Sequence, residues 1–229
     1  MSSSSTSTTP RSSLPVFLYI PNLLGYARIV LSFYAMYLSD RFPRQTVVVF
    51  TLSGSLDLFD GMLARALNQT SSLGVLVDIA ADNIMRTCSW MAAASCPDAS
   101  AGLKTVASII VCVEWMTMLA TQLHAGVHGQ HWKESREHDP WLVRALFANN
   151  FRNPIGILSI YGLFTANLFS YGYHHPAELR DTVPFFYAFF YLAYVGRALS
   201  LVVELWMIRN YLVLVVAKDT QQQHAEKKD

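Results

Sequence analysis

The chain has 229 residues, a formal net charge of +1, 52% hydrophobic residues and 14% charged ones. A water-soluble domain carries about 25% charged residues, so this chain has too little charge to cover a hydrated surface, and lipid is the expected solvent. The length allows one domain, the charge balance gives no footing for a nucleic-acid partner, and Cys88, Cys96 and Cys112 match neither a disulfide framework nor a zinc spacing.

Residues 1–13, MSSSSTSTTPRSS, hold nothing to bury and are expected to be a disordered Ser/Thr-rich tail. A cleaved secretory signal is not expected, because the first apolar run is too long and lacks a small-residue cleavage site. Six apolar stretches follow at 16–38, 46–66, 73–93, 103–123, 153–173 and 184–216. Each is near the roughly 20 residues that span a bilayer. The expected fold is therefore all-α: a polytopic membrane domain over 14–217 with about six transmembrane helices. A short interfacial segment is expected before Pro21, and the last stretch is long enough to tilt or to project from the membrane. The segment 124–152 reads as a polar loop. Its histidines, His124, His128, His131 and His138, fit a solvated stretch better than a metal site. Trp132, Trp141 and Tyr173 read as interface anchors, and 218–229 as a solvated polar tail.

Six spans put both termini on one side. That side holds Arg11, Arg65, Lys133, Arg136, Arg144, Arg152, Lys218, Lys227 and Lys228, against Arg41, Arg44, Lys104 and Arg180 on the other. The positive-inside rule then assigns the termini and the 67–72 turn to the cytosol. Arg28, Arg86, Arg197 and Arg209 fall within spans, where arginine is costly and marks a cavity, an interface or snorkelling.

The second and third stretches carry the chemistry. Asp57 and Asp60 are three residues apart, and Asp78 and Asp82 four apart, so each pair shares a helix face. The polar turn NQTSS is centred near Gln69, with Asp60 and Asp78 equally spaced about it. At a rise of 1.5 Å per residue, both lie about 13 Å from the tip of an antiparallel hairpin. Four carboxylates at one depth in a low-dielectric site require protonation or divalent cations. An all-oxygen ligand set suits Mg²⁺, Mn²⁺ or Ca²⁺ over zinc. Arg65 is the one cation near enough along the hairpin to serve as a counter-ion. Gly61, Ala64 and Gly74 leave space beside the acids, or serve close helix packing. Arg65 could grip a phosphate or mark the membrane boundary, and Ser71 could offer a hydroxyl or be turn chemistry. Glu114, inside the fourth stretch, fits an acceptor pocket or an interhelical contact equally well. Arg152 fits an acceptor contact or a positive-inside role, and Arg86, one turn beyond Asp82, could pair with the acids.

The spacing D57-x2-D60-G61-x2-A64-R65-x8-G74-x3-D78-x3-D82 resembles the complete signature of the CDP-alcohol phosphotransferases. Residues 17–30, FLYIPNLLGYARIV, and 56–74, LDLFDGMLARALNQTSSLG, are similar to the eukaryotic phosphatidylinositol synthase branch. The position after Asp82 is Asn83, where that branch tends to carry arginine, and the likeness weakens beyond residue 82. The resemblance implies transfer of a phosphatidyl group from CDP-diacylglycerol to myo-inositol, with six transmembrane helices, a homodimer and two Mg²⁺ or Mn²⁺ ions. It implies that Asp57, Asp60, Asp78 and Asp82 bind metal and that Asp82 is also the general base. Gly61, Arg65 and Ser71 would contact the CDP-diacylglycerol headgroup, and Asn22 and Arg28 would line the nucleotide site. It implies an active site at the cytosolic end of the second and third helices, in a membrane that the KKD ending associates with the endoplasmic reticulum. Another alcohol acceptor (glycerol phosphate, serine or an amino alcohol), a catalytically silent scaffold and a cation transporter are the competing readings.

Overall fold

A computed structural model describes residues 14–128 and 139–226, with side chains for 14–123 and 139–220. The expected tail at 1–13, Trp132, His131 and His138, and the side chains of His124 and His128, lie outside the described residues.

A single 3-10 turn, Val16–Leu18, leads into α1 (Ile20–Leu38), followed by α2 (Pro43–Ala66) and α3 (Ser72–Ser95). Then come α4 (Ala101–His128), the short α5 (Trp141–Phe147), α6 (Pro154–Tyr173) and α7 (Phe186–Glu226). Local chemistry sets these starts. Pro21, Pro43 and Pro154 each sit in a first helical turn, where a missing N–H costs nothing. Ser71 and Asn153 cap α3 and α6 by accepting from the Gly74 and Gly156 amides, both at 2.9 Å. Asn68, at φ 52°, takes the left-handed conformation that ends α2.

One expectation needs correction, and one element runs longer than its apolar stretch. The 124–152 segment is not one loop: α4 continues to His128, and α5 packs Val143, Leu146 and Phe147 against Val203 of α7. The polar segment 218–226 is helical, since α7 runs on through Glu226 with no glycine or proline after Gly196 to stop it. Its 41 residues exceed the roughly 20 that cross a bilayer.

Among the described residues, four helices are long and apolar enough to cross a membrane by composition: Pro43–Ala66, Ala101–Leu123, Pro154–Tyr173 and Phe186–Thr220. Helices α1 and α3 fall outside that set; they carry Asn22 and Arg28, and Asp78, Asp82 and Arg86. Large apolar side chains such as Val30, Phe33, Leu58, Ile109, Val195 and Val202 face outward, as a lipid solvent permits. The chain is an all-α polytopic membrane protein.

Helix α3 is the hub. It packs on α1, α4 and α6, and α6 in turn packs on α7. Helix α1 lies between α2 and α3, which touch each other only slightly. Gly25 permits this, since a Cβ there would meet Val77 Cγ1 of α3 at 2.5 Å. At the α6–α7 crossing the backbones themselves meet. A Cβ on Gly162 would overlap Arg197 and Gly196, and one on Gly196 would overlap the Leu158 carbonyl.

Candidate active site

The inward face of α1 is polar and small, an inversion of the usual pattern. Asn22, Gly25, Arg28, Ser32 and Ala35 recur at three- and four-residue intervals and are all buried. Behind Arg28, the Ser32 and Ser53 hydroxyls both donate to its carbonyl, at 2.8 and 3.0 Å, which ties α1 to α2 at that level.

From that position Arg28, 1% exposed, reaches all four aspartates. Its Nη1 donates to Asp60 Oδ2 and to Asp78 Oδ1, both at 2.8 Å, and lies 2.9 Å from Asp57 Oδ1. Its Nη2 donates to Asp82 Oδ1. Two protons on Nη1 serve Asp60 and Asp78, so Asp57 is held by charge alone. The nearest cation along the hairpin, Arg65, does not serve as the counter-ion: it is exposed and pairs with no acid among the described residues, and Arg28 is the central cation. Arg28 also sits inside the acid cluster rather than along the cavity described next.

Ligand oxygens of Asp57, Asp60 and Asp78 lie within 4.8 Å of one another. Asp82 stands beside this group, with Oδ1 toward Arg28 and Oδ2 at 3.7 Å from Arg86 Nη1. Against four carboxylates Arg28 supplies one positive charge, and Arg86 is shared with Glu114 at 3.2 Å. The cluster keeps a negative excess, and an oxygen-only donor set of this size fits hard divalent cations.

Next to the acids is a cavity of about 190 Å³, bordered by Asn22, Asp60, Gly61, Ala64, Arg65, Gln69, Ser71, Gly74 and Asp78 among others. Drug-sized ligands occupy about 300–1,000 Å³, so it suits one portion of a larger amphiphile. Its lining differs in charge along the hairpin. At the helix ends, Arg65 and the N-terminus of α3, with its free backbone N–H groups, are attractive to anions. Further along the same two helices, Asp60 and Asp78 are attractive to cations. Gly74 keeps the wall open: a Cβ there would stand 2.8 Å from Asn22 Oδ1 and 3.2 Å from Ser71 Oγ. Asn22 donates to the Val16 carbonyl at 2.6 Å, while its buried Oδ1 has no partner.

The sequence candidates Asn22, Gly61, Ala64, Arg65, Ser71 and Gly74 thus converge on one cavity together with Asp60 and Asp78, and Asp57 lies with those two in the acid cluster. Arg152 is exposed between α5 and α6 and does not border it. Glu114 makes interhelical ion pairs with Arg86 and Arg197. Gln69 was read as turn centre alone; it is buried, and its Oε1 accepts from the Ile20 amide at 2.9 Å, closing the cavity rim against α1. The stripe of polar and small residues on α1 was the signal for Arg28. At the opposite end, outside the spans, His174 Nδ1 lies 2.8 Å from Asp98 Oδ1 and holds that carboxyl below its usual range.

Residues 18–169 match the family model described as CDP-alcohol phosphatidyltransferase. A Schizosaccharomyces pombe protein named CDP-diacylglycerol–inositol 3-phosphatidyltransferase is 29% identical over 136 residues, covering 59% of this chain and 56% of its own. The Homo sapiens protein of that name is 42% identical over 73 residues, 32% of this chain and 34% of its own. An Arabidopsis thaliana one is 28% identical over 136 residues, 59% of each chain. The chain spans from about a third to three-fifths of the length of these curated relatives. No solved structure matches it significantly.

Proposed function

Because the chain belongs to the CDP-alcohol phosphatidyltransferase family, we propose that it transfers the phosphatidyl group of CDP-diacylglycerol to a hydroxyl of myo-inositol, giving phosphatidylinositol and CMP. The observation that carries this reading is the mixed charge of the cavity lining. A site for a diphosphate needs anion-binding groups beside cation-binding ones, and Arg65 and the α3 N-terminus line the same cavity as Asp60 and Asp78. The choice of inositol is supported by the names of the relatives that match here.

Asp57, Asp60, Asp78 and Asp82 would hold two Mg²⁺ or Mn²⁺ ions. When bound, these neutralise the diphosphate and stabilise the leaving CMP. Arg65 binds the diphosphate by charge-assisted hydrogen bonds, and Ser71 fixes the α3 N-terminus that faces it. Gly61, Ala64 and Gly74 keep the wall free of bulk. Asn22 Oδ1, buried without a partner, accepts from the nucleotide. The inositol oxygen forms a bond to the phosphatidyl phosphorus as the bridging P–O bond breaks and CMP leaves. The proton of the attacking hydroxyl goes to Asp82, which must lie within about 3 Å of it. The acyl chains remain in the bilayer beside the helices. The charge asymmetry of the loops supports a cytosolic position for this end of the bundle, where inositol is dissolved, and the endoplasmic reticulum is the proposed membrane.

The test is CMP release by the purified protein from labelled CDP-diacylglycerol with Mg²⁺ or Mn²⁺ and a panel of alcohols. Release that depends on inositol is expected. Release driven by serine or glycerol phosphate instead would overturn the acceptor, and no release with any alcohol would overturn the transferase reading.

A further inference from the structure

Beyond Asp82, a chain of buried charges crosses α3, α4 and α7 that the transfer step as described does not use. Arg86 Nε donates to Glu114 Oε2 at 3.2 Å. Glu114 Oε1 faces Arg197 Nη2 at 3.2 Å, and Arg197 Nη1 donates to Glu204 Oε2 at 2.9 Å. Arg86, Glu114, Arg197 and Glu204 are 8%, 2%, 3% and 8% exposed. Two positive and two negative charges balance, so the chain is self-neutral. It is an expensive device for holding helices together, since replacing a buried ion network by apolar side chains is often neutral or stabilising. Charges retained inside a membrane domain point to a task.

The task follows from how Asp82 is held. Its Oδ1 turns to Arg28 and the other acids, and its Oδ2 to Arg86 Nη1 at 3.7 Å. A carboxylate that binds the cation site with one oxygen and takes a proton with the other must not rotate. Arg86 is a long side chain that cannot impose this alone, and here its other contacts are fixed. Nη2 donates to Asn83 Oδ1, Nε to Glu114, and the guanidinium lies 5.2 Å from the centre of the Phe164 ring on α6. Asp82 does not border the nucleotide cavity, so the acceptor hydroxyl approaches it from another side.

We propose that Arg86, clamped by Glu114 and backed by the Arg197–Glu204 pair, is a positioning residue that keeps Asp82 Oδ2 turned away from the Asp57–Asp60–Asp78 group and available to the acceptor hydroxyl. This rests on the reading of Asp82 as the proton acceptor.

The test is the double variant Arg86→Met/Glu114→Leu, which replaces the pair by apolar side chains and leaves Arg197 with Glu204. Thermal midpoint, Mn²⁺-dependent CDP-diacylglycerol binding, both KM values and kcat are measured. A misplacement of about 1 Å at the reacting group costs about 100-fold in rate, so a kcat loss of that order is expected, with midpoint and CDP-diacylglycerol KM unchanged. Wild-type kcat in the folded variant overturns the proposal, and so does equal loss of CDP-diacylglycerol binding and turnover. Should the double variant not fold, Glu114→Gln decides: it keeps the shape and removes the charge. A kcat loss of about tenfold or more at unchanged CDP-diacylglycerol KM supports positioning, and an unchanged kcat overturns it. Absence of alcohol-dependent CMP release from the unaltered protein would sink the transferase reading itself, and this one with it.

Discussion

Arg28→Met removes the one guanidinium that touches Asp57, Asp60, Asp78 and Asp82 together. Taking away one partner of a buried ion pair costs about 3–5 kcal/mol. Asp57 and Asp78 are 34% and 45% exposed and keep some hydration, which places the cost at the lower end. For a chain of this size about 3 kcal/mol lowers the thermal midpoint by about 6–12 °C. That loss is expected in EDTA. In saturating Mn²⁺ it should shrink, because the divalent ions supply the neutralisation. The same substitution should tighten Mn²⁺ binding. A unit charge about 4 Å away acts with about 4 kcal/mol per charge at an effective dielectric near 20, and even a third of that is about tenfold in affinity. The assays are thermal unfolding with and without Mn²⁺, and titration of Mn²⁺ by electron paramagnetic resonance. An equal loss of midpoint in EDTA and in Mn²⁺, or weaker Mn²⁺ binding than wild type, would refute the view that Arg28 and the cations neutralise the same carboxylates.

Asp82→Asn should lower transfer by about 100-fold or more, the scale of general-base catalysis, while metal-dependent CDP-diacylglycerol binding stays within a few-fold. Parallel loss of both would show that Asp82 has no role apart from ligation. Arg65→Ala should raise the KM for CDP-diacylglycerol by about tenfold, since a charge-assisted hydrogen bond contributes about 1.5–3 kcal/mol. An effect confined to the KM for inositol would count against it. Gly196→Ala places a methyl against the Leu158 carbonyl and should cost about 1–3 kcal/mol by overpacking. Unfolding in mild detergent would measure this, and a wild-type midpoint would mean that the α6–α7 crossing relaxes freely.

The spans were legible because burial in lipid is a local demand: each helix carries its own apolar run, and observed ends fall within a few residues of the expected ones for all but α4 and α7. Helix α5 was not legible, since seven residues, WLVRALF, are too few to show a period. The continuation of α7 through polar residues to Glu226 was not legible because polarity reads as an end, although no glycine or proline follows Gly196 in the helix.

At the site the division is sharper. Spacing by itself put Asp57 with Asp60 and Asp78 with Asp82 on shared faces, and the turn about Gln69 put both pairs at one level, because helical geometry is determined by neighbours in the chain. It could not decide what stands between those faces. Along the hairpin itself, Arg65 is the nearby cation. In the folded protein α1 enters between α2 and α3, with Gly25 against Val77, and carries Arg28 into the acids. Likewise Glu114 had two equal readings until α3, α4 and α7 brought it between Arg86 and Arg197. Which helix faces meet depends on side-chain volume and charge at residues far apart in sequence, and that is settled by packing in three dimensions.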